Sequence, residues 1–290
     1  MVPLKEQYSG IMAKRAMMWA LRNKPELTKI AWTNLLSACY SPEFSFAILN
    51  EDYLHKFFNN VVHRWQPESL RVIQPDSPPV YWHYISEEAR KDAASLFKIP
   101  YETIEFEIAS IDYKPLLIES INVLKNNCPD SYNTLFSYVR DIIPFESNII
   151  ASFSGPKLLG AIFINVKLNN SLQGLVESIV HETGHVLLDV YLATGNELVS
   201  DTDKLYISPW RNDLRPSIKI FHGIFAFWNV IRVFRKLKWP HEEFKIRVIK
   251  GCETLLSTNE LTIQGKEIIE LITSDVKGDV IKWNFDLPIM

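Results

Sequence analysis

The 290-residue sequence predicts an α+β protein, predominantly α-helical, with a small β-sheet or hairpin just ahead of one long helix. Three observations carry this. Apolar residues recur at three- and four-residue intervals along most of the chain, the spacing of one helix face. A single stretch, "SNIIASFSGPKLLGAIFINVKL", replaces that period with β-branched and aromatic runs around a Gly-Pro turn. Hydrophobic residues make up 47% of the chain, enough for one large core or two modest ones.

In order along the chain, helical periodicity covers 5–23, 25–40, 51–65, 86–98, 114–126 and 130–142, with Pro25 and Pro129 standing where helices start. The segment Gln66 to Tyr84 holds four prolines and reads as a loop or boundary. After the strands come a helix over 170–193, a polar loop over 194–208, and helices over 216–238, 241–257 and 261–276. The pattern divides the chain into a mainly helical region, 1–145, and a second region, 146–290, within two domains or one continuous one.

Composition excludes several functions. A net charge of -3 and a pI near 6.2, with acidic and basic residues interspersed, give no electrostatic case for a nucleic-acid partner. The amino terminus alternates charged with apolar residues, unlike a secretory signal, and no uninterrupted apolar run has the length of a membrane span. Cys39, Cys128 and Cys252 are odd in number and lack zinc-ribbon spacing, so they read as reduced, buried cysteines of a cytoplasmic protein.

The stretch "ESIVHETGHVLLD", 177–189, carries an HExxH motif. On a helix His181 and His185 lie one turn apart on the same face, able to share a metal ion, with Glu182 on the neighbouring flank. In zinc hydrolases with this motif the glutamate polarises a metal-bound water. Leu175, Val176, Ile179, Val180, Val186 and Leu187 make the helix a buried one, where two imidazoles and a carboxyl are costly unless they are used. Gly184, unfavourable inside a helix, asks for a close approach by another backbone or a substrate.

A working metal site takes a third protein ligand and keeps a position open. The metzincin continuation fails, because Leu188 and Tyr191 stand where its Gly and His belong. Glu197 is the nearest downstream glutamate, and Asp189 is placed to orient a ligand histidine. His222 is the stronger candidate, a polar ring among Phe221, Ile224, Phe225, Trp228 and Ile231. His55, His63, His83 and His241 have loop-like or polar flanks and read as non-ligands. Just before the His222 helix, Arg211 and Arg215 offer donor forks suited to a carboxylate, or to pairing with Asp213 or Asp203.

Taken together, "VHETGHVLLD", "SPWRNDLRP" and "FHGIFAF", within about residues 170–230, resemble the HExxH-motif peptide-modification proteins that accompany ribosomally synthesised peptide precursors. The resemblance implies a non-haem iron enzyme that uses 2-oxoglutarate to hydroxylate a peptide side chain at its β-carbon. It makes His181, His185 and His222 the Fe(II) ligands and gives Arg211 or Arg215 the distal carboxylate of 2-oxoglutarate. Glu182 then orients a ligand or water. A precursor peptide is the implied substrate, with the amino-terminal half available to its leader or to a maturation partner protein. Two other readings stand beside this one: a zinc metallopeptidase with Glu182 as base, and a metal-stabilised binding protein without turnover.

Overall fold

A computed structural model describes residues 70–76, 78, 82–139, 141–155, 161–193, 197–200, 204–211 and 213–278. The helices expected over 5–23, 25–40 and 51–65, together with Cys39, His55, His63 and Asp203, lie outside them. The described chain is α+β and predominantly helical, as its periodicity predicts. It divides into two compact units, one ending at Val186 and the other beginning at Leu187.

The first unit is built on a mixed sheet. Its strands are β1 (Arg71–Val72), β2 (Glu107–Ile108), β3 (Asp141–Glu146), β4 (Phe153–Ser154) and β5 (Ala161–Asn165), and its helices before the HExxH segment are α1 (Trp82–Phe97), α2 (Lys114–Asn127) and α3 (Pro129–Tyr138). The order is β1-β3-β5-β4, with β2 also paired to β3. β3 and β5 run parallel, Asp141 opposite Ala161 through to Phe145 opposite Asn165, and β4 returns antiparallel to β5. The expected hairpin is therefore present, at the edge of a larger sheet.

Two expectations are corrected here. The helix read over 130–142 ends at Tyr138, and Asp141–Glu146 is the central strand. Pro144 disguises that strand, since proline normally argues against an inner position. Both β3 and β5 are buried almost end to end, so they show a continuous apolar run in place of strand alternation. The proline-rich segment also contains β1 and the first turn of α1. On one face of the sheet Ile143, Phe145, Ala161 and Phe163 pack with Ile73, Ile85 and Phe106. Phe153 stacks on Phe163 with ring centroids 4.5 Å apart.

β5 leads into α4 (Leu172–Ala193), the HExxH helix, through a loop fixed by one buried amide. Asn165 donates from Nδ2 to the carbonyls of Ser147 and Ile150, and its Oδ1 accepts the amides of Lys167 and Leu168. Ser171 then caps the helix, its Oγ accepting from the Gly174 amide at 3.1 Å.

The second unit takes the rest of α4, then a hairpin of β6 (Leu205–Ile207) and β7 (Leu214–Pro216), and helices α5 (Ser217–Leu237), α6 (Glu242–Leu256) and α7 (Ile263–Lys277). The hairpin lies partly in the stretch expected to be loop. α5 packs on α6 and α7, and Trp228 and Arg235 of α5 both donate to Asp275 of α7. By length and apolar content α5 matches a membrane span, but most of it is buried in the protein, the property of a core helix. A strap closes the unit: Val199 bridges to Leu261, and the Thr262 amide donates to the Leu198 carbonyl. Cys128 and Cys252 are both buried, as expected.

Candidate metal centre

α4 places His181 and His185 with their Nε2 atoms 3.1 Å apart and their rings nearly perpendicular, at 88°. A hydrogen bond between these two atoms needs one ring to carry its proton on Nε2 and the other to carry its proton on Nδ1, leaving its Nε2 lone pair to accept. Two imidazole nitrogens about 2.1 Å from a shared ion, at octahedral or tetrahedral angles, lie roughly 3.0–3.4 Å apart. The pair therefore already spans the width of a metal ion. His181 is half-buried as a residue, but its Nδ1 is enclosed, and burial lowers the ring pKa to about 4. The imidazole is thus neutral at physiological pH, the form a metal requires.

Glu182 lies on the other flank of the same turn and is 3% exposed. Ser154 of β4 donates its hydroxyl to Glu182 Oε2 at 2.7 Å. Burial raises the carboxyl to about 8 in spite of that hydrogen bond, so in the metal-free chain it is mostly protonated at neutral pH. Ser154 was not legible as a site residue. Its partner lies 28 positions away, and only the pairing of β4 with β5 places it. Gly184 is buried in the helix as well.

In the second unit, His222 sits on α5 and is 8% exposed. Its Nε2 is 3.7 Å from Oδ1 of the buried Asp189, the last acidic residue of α4. This separation is longer than a hydrogen bond. Burial, with a smaller contribution from Lys219, lowers His222 to about 3. His222 is therefore also a neutral imidazole, with Asp189 as its neighbouring carboxylate.

The two arginines differ. Arg215 in β7 forks onto Asp213, Nε to Oδ1 at 3.0 Å and Nη2 to Oδ2 at 3.0 Å, which holds the Asp213 carboxyl below its usual range. Arg211 is exposed in the hairpin loop and adds a weaker pull on Asp213. Glu197 is exposed, with its carbonyl accepting from Thr262. His83 is exposed, and His241 Nδ1 is 2.8 Å from the Trp239 carbonyl oxygen. Among the described residues, no three His, Cys, Asp or Glu side chains gather as a metal-holding group. No protein-family model matches the chain, and no curated protein sequence matches it.

Proposed function

We propose that this chain is a cytoplasmic non-haem iron, 2-oxoglutarate-dependent hydroxylase of a peptide side chain, acting at the β-carbon of a ribosomally made precursor peptide. The observation that carries the proposal is the His181–His185 pair, two half-buried imidazoles whose Nε2 atoms lie 3.1 Å apart on one helical turn. Aliphatic residues would fill such a turn at lower free energy, so packing supplies no reason for the rings. His222 is proposed as the third ligand on the strength of its sequence block. With Nε2 toward Asp189, its proposed ligand atom is Nδ1.

Iron bound there, with 2-oxoglutarate and dioxygen, would supply the oxidising power to insert an oxygen atom into a C–H bond, releasing succinate and carbon dioxide. The chain's own residues hold and orient. Arg211 or Arg215 binds the distal carboxylate of 2-oxoglutarate through charge-assisted hydrogen bonds. Glu182, buried and bonded to Ser154, braces the ligand helix against β4. The arginines of the "SPWRNDLRP" block favour the hydroxylase over the zinc peptidase, because a peptidase needs no clamp for a cosubstrate carboxylate.

The test is turnover of 2-oxoglutarate by anaerobically prepared protein loaded with ferrous iron and then given dioxygen. Succinate should form with iron and not with zinc. Absence of succinate, with and without candidate peptides, would reject the proposal. Zinc in aerobically purified protein would not count against it, because zinc outcompetes ferrous iron at nitrogen sites.

A further inference from the structure

One side chain joins the blocks "SPWRNDLRP" and "FHGIFAF". The indole of Trp210 lies against α5 at Gly223, where an added Cβ would come within 3.0 Å of the ring atoms Cε3 and Cζ3. It also reaches α6 at Gly251, where a Cβ would meet Cη2 at 3.0 Å and Ile224 Cγ1 at 2.8 Å. Neither glycine has a positive φ, so neither is needed for backbone conformation. Mid-helix glycine is unfavourable relative to alanine, and here it provides room for the ring. Trp210 further stacks on Phe227, with centroids 5.5 Å apart and planes 7° apart. Phe227 lies one helical turn beyond Gly223 and stacks in turn on Phe244 of α6. The indole N–H is buried without a hydrogen-bond partner among the described residues, so packing alone seats the ring.

Trp210 is the immediate neighbour of Arg211, and Gly223 is the immediate neighbour of His222. We propose that Trp210, seated against Gly223 and Gly251, is a positioning residue that pins the backbone of the Arg211 loop to the backbone of the His222 helix. The arginine that serves the 2-oxo acid is then Arg211, since the guanidinium of Arg215 is already forked onto Asp213. This assignment rests on the hydroxylase reading, whereas the packing lock does not.

The experiment has two arms. In the first, urea midpoints are measured for the wild type, Gly223→Ala, Trp210→Leu and the double variant. Gly223→Ala should lower the midpoint when the indole is present. It should raise the midpoint in the Trp210→Leu background, where only helix propensity remains. A change of the same sign in both backgrounds would overturn the lock. In the second arm, iron and 2-oxoglutarate affinities are measured separately under anaerobic conditions. Trp210→Leu and Arg211→Ala should each weaken 2-oxoglutarate by about tenfold or more while iron and the Arg215→Ala variant stay within about threefold of wild type. Parallel loss of iron and 2-oxoglutarate in Trp210→Leu, or an Arg215→Ala effect matching that of Arg211→Ala, would overturn the positioning role. A wild-type chain that holds iron but not 2-oxoglutarate would remove both the hydroxylase reading and that role, with the sign inversion still deciding the lock.

Discussion

The HExxH turn of α4 and the 208–227 stretch both set polar residues among apolar ones, but the fold uses them differently. In α4, burial opposes the charged forms of His181 and Glu182, holding the first near 4 and the second near 8. In the 208–227 stretch most of the unusual residues have an architectural use. Trp210 fills the space left by Gly223, and Arg215 pairs with Asp213. Once these are set aside, His222 and Arg211 are the residues that architecture does not account for. Residues that only cost free energy are better markers of chemistry than residues that are merely uncommon.

Removing the proposed ligands breaks this comparison hardest. His181→Ala and His185→Ala should each weaken metal binding by more than about a hundredfold, since losing even a residue that only supports a ligand costs about 10–100-fold. His222→Ala should match them in a competitive chelator titration, with the chain still folded. Wild-type affinity in His222→Ala would make the second stretch purely architectural and turn attention to Asp189 and Glu197.

An architectural position should show the opposite signature. At Gly265 an added Cβ would lie 2.0 Å from the Leu198 carbonyl oxygen, a backbone atom held by the strap. Gly265→Ala should therefore cost about 3 kcal/mol of stability, as severe overpacking does. The urea midpoint measures that loss, and metal affinity of the remaining folded protein should not change.

The buried acid and base groups give a pH signature for metal-free protein. Glu182 has a folded pKa of about 8 against 4.5 unfolded, so its stabilisation is complete below 4.5 and is lost as pH rises through 8. His181 and His222, lowered from 6.5 to about 4 and about 3, contribute stability that is present above 6.5 and is lost as pH falls through those values. Stability of the chelated protein should thus decline on both sides of the weakly acidic range. Glu182→Gln should flatten the alkaline side alone, as read from urea midpoints across pH. An unchanged alkaline slope would mean that Glu182 is already ionised.

The smallest effect belongs to the surface. Arg215→Ala should change stability by less than about 1 kcal/mol, because both partners are partly exposed and screened. A larger loss would show that the Arg215–Asp213 fork supports the hairpin.

Much of this was legible in the sequence. Helical period and proline placement located α2 and α4–α7 to within a residue or two, and the HExxH spacing implied the shared face of His181 and His185. Strand β3 was not legible, because a strand buried on both faces has no alternation and Pro144 argued against it. The hairpin β6–β7 was hidden by its short strands, three residues each. Ser154 beside Glu182, and Trp210 against Gly251, depend on contacts between distant parts of the chain. No local pattern encodes them.

The central claim is that the histidines of this chain serve oxidation and not hydrolysis, and the mass of a candidate peptide after incubation tests it most directly. With ferrous iron, 2-oxoglutarate and dioxygen, the account predicts an intact peptide heavier by one oxygen atom, dependent on all three additions and lost in His181→Ala. Peptide fragments formed with zinc alone, without 2-oxoglutarate or dioxygen and abolished by Glu182→Gln, would contradict it.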